Sequence, residues 1–510
     1  MDALLRQALV GTRRSGAIAA TGTPADALSQ DADPAWRLLQ RAGCLALLRR
    51  AARPPARVPA PAVDPGGDRP CPSALRPLMA SLLAGETPEL LPEALRLLAA
   101  AGRVLPPELL PRALGSVDHR PLLHPVLGSR GRWLAAQEPS WSWALEAPLP
   151  KLEVLRERWE TERTEDRIRV LSEVRRQDPA RGLAWLREVW PNERAEVRAL
   201  LLVGLAESLC EADEPFLELL LDERSGRVRE RAAALLRRLP NSRLCQRMHA
   251  RLTRMMSWRE PKKGILDRIL TRPRLAVSTP EAYTADLRRD GVAEAPEHGL
   301  APEASWLAGM LAAVPPRRWS ERFQVSAAAM LAELPSERWE VAEGWSNAVC
   351  EVPDGEWILA LWAWWRRADV LRSAARARSE HWQDELVRQL PPPEASSFAL
   401  DLLRSPTLVE AGRLATALER LAPAWPVPVA SAWLYELRAS VASLDPLSAR
   451  ELLWWELSIV DAAPNLPRAC LHDAVFPIPE TLSVRRWRNS LESFMAAIRR
   501  RQILFRELTP

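Results

Sequence analysis

Apolar residues recur every three or four positions along most of the chain, which is the spacing of one face of an α-helix. Residues 2–10 carry four apolar side chains close together on one side, and Gly11 is placed to end this short helix. Asp33 and Pro34 then supply a cap and a first-turn proline for a longer helix. Strand-type runs are scarce, so the pattern predicts an all-α protein.

The stretch RVRERAAALLRRLP, residues 227–240, gives the clearest helical pattern. At 100° per residue, five apolar positions fall in an arc about 100° wide: Val228, Ala232, Leu235, Leu236 and Leu239. Arg229 lies at the edge of this stripe, whereas Arg237 lies outside it and is predicted to point to solvent. The pattern favours a packed scaffold helix over a basic helix that grips nucleic acid.

This stretch is one of several related units. The Val-Arg pairs at Val197 and Val228 are 31 residues apart, and DRIRVLSEVRRQ lies about one more period upstream. Other helical stretches, such as ARGLAWLREVW and DEPFLELLL, lie between these units. A helix pair every ~30–40 residues indicates a helical solenoid.

The unit that ends at Leu239 resembles a HEAT repeat. In HEAT repeats, an Asp in the inter-helix turn and a Val-Arg pair at the start of the second helix support stacking, which the resemblance implies for Asp222, Val228 and Arg229. Asp213 is predicted to cap the first helix. The residues assigned to the repeat motif are Asp213, Phe216, Asp222, Val228, Arg229, Leu235 and Leu236. The predicted fold is a HEAT-like α-solenoid of stacked antiparallel helix pairs.

Prolines and breaks in periodicity divide the chain into regions. The run RPPARVPAPAVDPGGDRPCP cannot be helical, because proline lacks the N–H that a helix needs. The predicted regions are N-terminal helices (1–52), a Pro-rich linker or loop (53–72), a helical region (73–150), HEAT-like repeats (151–258), an irregular connector (259–304) and a Trp-rich C-terminal helical region (305–510).

Composition adds little about partners. The chain of 510 residues carries 70 basic and 65 acidic residues, a net charge of +5. Nearly all basic residues are arginine, a bias typical of a GC-rich genome, so the charge does not indicate nucleic-acid binding. Six scattered cysteines suit a reducing compartment. No signal peptide or membrane span is apparent, so a cytoplasmic protein without membrane contact is expected.

No catalytic, metal-binding or cofactor-binding motif is found. The sequence contains no GxxxxGK[ST], GxGxxG, CxxC or GxSxG pattern. His119 and His124 are five residues apart, which on a helix places them about 140° apart and makes a poor chelating pair. We expect no catalytic residue and no cofactor, and in particular neither zinc nor ATP.

Two groups of residues are candidates for binding a partner. In GSRGRWLAAQEPSWSW, Gly128 and Gly131 predict a tight turn that would present Arg130, Arg132 and Trp133. In LWAWWRR, Trp362, Trp364 and Trp365 do not share one helix face, which favours burial between helices. A protein-binding surface and base stacking are the alternatives for these tryptophans.

Five stretches together resemble an uncharacterised bacterial family of about this length with HEAT-like helices. They are ALVGTRR (8–14), LGSRGRWLAAQEPSW (127–141), DEPFLELLLDERSGRVRERAAALLRRLPNSRLCQRM (213–248), RDG (289–291) and LAAVPPRRW (311–319). Members of that family are typically encoded beside a SWIM zinc-finger protein, a MoxR-type AAA+ ATPase and von Willebrand factor A proteins. The resemblance implies a part in an ATPase-driven complex, and it brings no catalytic residues.

The favoured hypothesis is a non-enzymatic scaffold or adaptor that binds proteins through its Trp-rich C-terminal half. The resemblance implies a MoxR-type ATPase, a von Willebrand factor A protein or a SWIM zinc-finger protein as partner. The alternative is a nucleic-acid-binding repeat protein with an Arg-lined concave surface, whose binding would fall steeply with salt. An enzyme with an unfamiliar site is a third alternative.

Overall fold

The chain is an all-α protein, as its periodicity predicts. Helix accounts for 71% of the structure and strand for 3%. The chain divides into two compact units, residues 1–67 and 68–510. The computed structural model describes residues 2–14, 17, 20–28, 32–51, 68–145, 151–259, 274–296, 299–367, 376–404, 411–442, 459, 462–479 and 485–509.

The first unit contains three described helices: Asp2–Val10 (α1), Ala25–Leu28 (α2) and Pro34–Ala51 (α3). The helix predicted over 2–10 is confirmed, and it ends at Gly11, whose φ of +89° lies in the left-handed region that glycine tolerates. The start of α3 at Pro34 is also confirmed, and the carboxylate of Asp33 accepts the N–H of Ala35. The described core of this unit is small: Leu4, Ala25, Leu38 and Leu45.

The second unit begins with five short helices, the first four of which carry proline in their first turn. They are Arg76–Leu83 (α4), Leu91–Ala100 (α5), Leu110–Leu114 (α6), Arg120–Leu123 (α7) and Gly128–Ala135 (α8). The motif PELLP occurs twice, and each copy forms a 3-10 turn that leads into a helix with proline in its first turn. The predicted linker lies mostly outside the described residues, but its end, Arg69–Pro70 (β1), pairs in parallel with Arg103–Val104 (β2).

Seven helices follow in the region predicted to contain the repeats. They are Leu152–Thr161 (α9), Thr164–Gln177 (α10), Pro179–Val189 (α11), Ala195–Leu205 (α12), Glu214–Leu220 (α13), Gly226–Arg237 (α14) and Arg243–Leu252 (α15). Helices α10, α12 and α14 start at residues 164, 195 and 226, so the 31-residue period is present in the structure. Helix α10 packs against α12, and α12 packs against α14.

The apolar stripe predicted on α14 faces the core. Its five members are buried: Val228, Ala232, Leu235, Leu236 and Leu239. The prediction for Arg237 is wrong, because this side chain is only half exposed and its guanidinium donates a hydrogen bond of 2.8 Å to the carbonyl of Gly291. A segment more than 50 residues further along the chain covers that side of α14, which helical periodicity could not reveal.

The described part of the region predicted as an irregular connector contains a strand, which pairs with the end of the repeat region, and a short helix. Met256–Arg259 (β3) pairs antiparallel with Arg274–Val277 (β4), and Ala285–Arg289 forms α16. In the part of the chain that the structure describes, both sheets have two strands, in line with the predicted lack of extended sheet.

Helices resume at Pro302 and continue to the end of the described chain. They are Pro302–Leu311 (α17), Arg317–Phe323 (α18), Ala327–Ala332 (α19), Trp339–Glu351 (α20), Gly355–Trp365 (α21), Arg376–Arg388 (α22), Pro392–Arg404 (α23), Ala411–Arg420 (α24), Val427–Ala442 (α25) and Arg485–Leu508 (α26). Asp178, Ser242 and Asp354 cap the starts of α11, α15 and α21 by accepting a main-chain N–H.

The last helix of the second unit packs against the first helices of the same unit. Arg501 on α26 is almost fully buried and makes two hydrogen bonds of 2.6 Å with the carboxylate of Glu93 on α5. Its remaining donors bind the carbonyls of Ala463 and Leu466. A planar guanidinium thus joins segments about 400 residues apart in the sequence.

We expect Val228→Asp to unfold the repeats, because it places a charge in a fully buried position of α14. The expected loss in free energy of unfolding exceeds about 4 kcal/mol. Denaturant unfolding followed by far-UV circular dichroism measures it. Arg231→Ser is the control, since Arg231 is exposed on the same helix, and it should change stability by less than about 0.5 kcal/mol. Equal stability of the two variants would contradict the assigned core face.

Candidate functional site

An arginine occupies the same position in three successive repeat helices, at Arg167, Arg198 and Arg229, each 31 residues after the last. The guanidinium of Arg167 lies 4.4 Å from the ring centroid of Trp159 and donates to Glu193 at 2.8 Å. Cation–π and ion-pair contacts of this kind hold α10 to the end of α9 and to the turn before α12.

The second repeat uses the same combination. Arg198 lies 5.5 Å from the ring centroid of Trp190 and donates to Glu223 at 2.9 Å, while the indole of Trp190 donates to the same carboxylate. In the third repeat, Leu221 stands where the tryptophan would be, and Arg229 binds the carbonyl of Glu223 at 2.7 Å instead. The 31-residue offset between Trp159 and Trp190 was a sequence signal that the motif prediction missed.

Asp222, which the HEAT resemblance places in the turn before α14, binds an arginine of the connector. Its carboxylate is exposed and accepts two hydrogen bonds, of 2.7 and 2.9 Å, from Arg289. These hydrogen bonds hold the pKa of Asp222 below its usual range. Asp222 therefore links the turn to α16 and forms no ion pair with Arg229.

Asp213 does not cap α13, contrary to the prediction. Its carboxylate is 1% exposed and forms a bidentate ion pair with Arg175, with N–O distances of 2.9 and 2.6 Å. It also accepts the N–H of Cys210 at 3.0 Å. The partner lies 38 residues away in the sequence, so the local pattern favoured a cap where tertiary structure supplies an ion pair.

Arg175 is fully buried, and all five of its N–H donors are used. Besides the two bonds to Asp213, it donates to the carbonyls of Glu207, Pro179 and Ser208 at 2.7 to 2.8 Å. A Cβ at Gly182 would lie 2.5 Å from Cγ of Arg175, so glycine is required where α11 crosses this side chain. The pair joins α10, α11 and the turn before α13.

Phe216, the aromatic residue of the predicted motif, lies in the hydrophobic core of the second unit. It is 6% exposed and packs edge-to-face on Trp190, with ring centroids 5.2 Å apart. Leu235 and Leu236, the last two motif residues, are buried on α14. These contacts place the apolar motif residues between neighbouring helices.

The tripeptide RDG at residues 289–291 attaches the connector to the repeats. Asp290 is 1% exposed and accepts hydrogen bonds of 2.7 Å from Arg247 and 2.6 Å from Arg251, both on α15. Gly291 has φ +77°, and a Cβ there would lie 2.4 Å from that of Ala233 on α14. Only glycine allows this approach, which explains a feature that the sequence analysis recorded solely as part of the family resemblance.

The stretch LGSRGRW forms helix α8 rather than the predicted tight turn. The carboxylate of Asp68 accepts both the N–H and the hydroxyl of Ser129 at 2.6 Å, and these bonds hold the pKa of Asp68 below its usual range. Gly128 has φ +65°, and Gly131 packs on Leu127 inside the helix. Of the candidate partner-binding residues here, Arg130 and Arg132 are exposed and Trp133 is half-buried.

The candidate tryptophans of α21 lie in the core, with exposures of 8% for Trp362, 2% for Trp364 and 0% for Trp365. The indole of Trp364 donates to the carbonyl of Leu334, and that of Trp365 donates to the hydroxyl of Ser346. They therefore offer no surface to a partner in this structure. Two further tryptophans of the Trp-rich region, in the segment LLWWEL at residues 452–457, lie outside the described residues.

The stretch LAAVPPRRW packs against the end of the repeats. Trp319 is fully buried, with its ring centroid 5.1 Å from that of His249 on α15 and 5.9 Å from that of Phe323. Arg318 donates to the carbonyl of Pro240 at 2.7 Å. Burial lowers the pKa of His249, which keeps this imidazole neutral.

A cavity of about 160 Å³ lies beside RDG, between α17 and α20. Glu343 on its wall is 3% exposed and accepts hydrogen bonds from Arg378 and Trp382. Glu351 is half-buried, and burial raises the pKa of its carboxyl group. The residues that line the cavity are Arg237, Gly291, Val292, Ala293, Leu300, Ser305, Ala308, Gly309, Ala312, Glu343, Asn347 and Glu351.

Two thiols, that of buried Cys71 and that of half-buried Cys350, are poorly suited to nucleophilic chemistry. Burial raises the pKa of Cys71 to about 11 and that of Cys350 to about 12, so both are protonated near neutral pH. Within the described ranges, no three His, Cys, Asp or Glu residues are grouped so that they could hold a metal ion. None of the described helices combines the length and the apolar character that crossing a membrane requires.

These features define an all-α protein whose helices are joined by buried ion pairs and aromatic contacts. The chain belongs to a family of unknown function, DUF5691, whose model matches residues 3–508. The match extends through the C-terminal half, beyond the last of the five stretches that carry the sequence resemblance, which ends at residue 319. No curated protein and no solved structure matches the chain.

We expect Arg175→Met to cost about 3–5 kcal/mol of unfolding free energy, because it leaves the buried carboxylate of Asp213 without its partner. The double variant Arg175→Met with Asp213→Leu should recover part of that loss, since no charge is then buried. Denaturant unfolding provides the measurement.

Arg176→Ala is the matched control. The side chain of Arg176 is 57% exposed, and its guanidinium lies 3.5 Å from the carboxylate of Glu207. A surface ion pair of this kind contributes about 0–1 kcal/mol. If Arg175→Met were no more destabilising than this control, the ion pair would not have the assigned role.

Proposed function

We propose that the protein is a non-enzymatic helical-repeat scaffold that binds protein partners, with residues 151–258 forming a HEAT-like α-solenoid of stacked antiparallel helix pairs. The 31-residue spacing of α10, α12 and α14 supports the solenoid, as do the contacts of each helix with the next. The arginine shared by these helices supports it further. Stacked repeats provide extended surfaces that suit large partners.

The observation that carries the proposal is an apolar stripe on α3. Trp36, Leu39 and Leu47 are 60%, 62% and 67% exposed. At 100° per residue they fall within about 80° of one another, on the side of α3 opposite its buried Leu38 and Leu45. Trp36 is the one tryptophan among the described residues that is mostly exposed. Tryptophan is enriched in interface hot spots.

Helix α1 of the same unit adds exposed apolar side chains at Leu5, Leu9 and Val10. A unit with a core this small is marginally stable alone, and contiguous exposed apolar residues mark interaction surfaces. Exposed arginines accompany the stripe at Arg49 and Arg50. The partner surface we propose is therefore an apolar groove bordered by acidic side chains.

The partner we propose is a MoxR-type AAA+ ATPase or a von Willebrand factor A protein, bound directly or through another protein such as the SWIM zinc-finger protein. These identities rest on the family resemblance. The contact moves from the C-terminal half, where the sequence analysis had expected it, to the N-terminal helices, because the described tryptophans of the C-terminal half are buried or half-buried.

The arginines of the repeat region favour a protein partner over nucleic acid. Arg167, Arg198, Arg247, Arg251 and Arg289 each form ion pairs with carboxylates of the same chain. A phosphate backbone would have to compete with these internal partners. Nucleic-acid binding by an Arg-lined surface remains the alternative, and its mark would be affinity that falls steeply with salt.

We expect Leu39→Glu to reduce partner recovery at least tenfold in a coexpression pulldown with the neighbouring gene products, because it places a charge in the apolar stripe. Leu219→Glu is the control, since Leu219 is 71% exposed on α13, outside the apolar stripe of α3. Circular dichroism confirms that both variants fold.

Three results would count against parts of this proposal. Failure of the unaltered protein to recover any neighbour contradicts the partner class. Full recovery by Leu39→Glu keeps the partner but moves the contact away from α3. Loss of recovery on nuclease treatment or at moderate salt favours the nucleic-acid alternative.

A further inference from the structure

The cavity beside RDG has one polar wall and one wall of small side chains. Glu343, Asn347 and Glu351 are spaced four residues apart on α20, so they lie along one side of that helix. The opposite wall is formed by one side of α17, with Ser305, Ala308 and Gly309, and by Ala312 directly after it. The polar wall therefore faces a surface that provides room but little charge.

Close packing of the two helices keeps this space open. A Cβ at Gly344 on α20 would lie 2.6 Å from that of Leu311 and 2.7 Å from the carbonyl oxygen of Ala308. The backbones of α17 and α20 therefore meet at Gly344, and neither helix can shift to fill the cavity. Gly309 and its alanine neighbours have no side chains long enough to reach across it.

Among the described residues, no cation contacts Glu351, one of the two acidic groups that line this cavity. Glu343 is neutralised by Arg378, and Arg237 donates to the carbonyl of Gly291. No hydrogen bond or ion pair reaches the carboxylate of Glu351 from any of the described residues. The charges of Arg237 and Arg238 lower the pKa of Glu351 from a distance, but burial raises it by more.

We propose that this cavity binds the ammonium or guanidinium group at the end of an alkyl chain, with Glu351 as its counter-ion. The chemistry follows from the lining: a carboxylate to pair with the cation, an Asn347 amide beside it, and apolar atoms of Val292 and Leu300 to receive the alkyl stem. A lysine or arginine side chain of another polypeptide and a free polyamine share this chemistry. The proposal does not depend on the stripe of α3.

The test is isothermal titration calorimetry of the full-length protein with four probes. Blocked arginine (N-acetyl-arginine methylamide) and blocked lysine represent a polypeptide side chain, spermidine represents a free polyamine, and blocked citrulline is the neutral analogue of arginine. Binding of at least one cation, with none of blocked citrulline, is expected. Preference for the blocked amino acids indicates a polypeptide source, and preference for spermidine indicates a polyamine.

Glu351→Gln should weaken cation binding at least tenfold, because it keeps the shape of the side chain and removes its charge. Glu303→Gln is the control, since Glu303 is exposed on α17 and does not line the cavity. Failure of all three cations to bind the unaltered protein overturns the proposal. Equal binding by Glu351→Gln overturns it as well.

The stability of Glu351→Gln without ligand gives an independent readout. A carboxyl group whose pKa is raised by folding lowers the stability of the folded protein at a pH above its folded-state pKa. This loss of stability disappears when the pH falls below the pKa of the same group in the unfolded chain. Glu351→Gln should therefore melt at a higher temperature than the unaltered protein at pH 8, with a smaller difference at pH 4. A lower melting temperature at pH 8 would mean that a group of the chain already pairs with Glu351, which contradicts the proposal.

Discussion

The fully buried guanidinium of Arg175 is the interaction on which the packing of the repeat region depends. A helix end leaves carbonyl groups without partners, and burying them is costly unless a donor reaches them. Arg175 binds the carbonyls of Glu207 and Ser208 just after the end of α12, the carbonyl of Pro179 at the start of α11, and the carboxylate of Asp213. No other side chain carries five donors in this fixed geometry, so arginine can join three chain segments at one point.

The same use of arginine recurs through the second unit. Arg229, Arg318 and Arg501 each reach from a helix to main-chain carbonyls of another segment. The many arginines of the chain thus serve its internal packing, and the basic composition says little about phosphate binding. Buried ion pairs add less to stability than their number suggests, because desolvation offsets the attraction. Their larger effect is to select one arrangement of the helices.

Two features of the described chain suggest roles beyond its own packing. The N-terminal helices expose Trp36 and its apolar neighbours, which a protein partner would cover. The cavity beside RDG holds Glu351 without a counter-ion, which a basic group would supply. Both features cost free energy in the isolated chain, and binding would recover that cost.

The sequence by itself determined the helical class, the start and end of α1, the buried stripe of α14 and the 31-residue period, because these depend on spacing within one or two helices. Only the tertiary structure decided the features that depend on contacts between residues far apart in the sequence. Asp213 pairs with a residue 38 positions away instead of capping its own helix, and Arg237 is covered by RDG. Periodicity shows which face of a helix is apolar, but it does not show which distant segment covers the polar one.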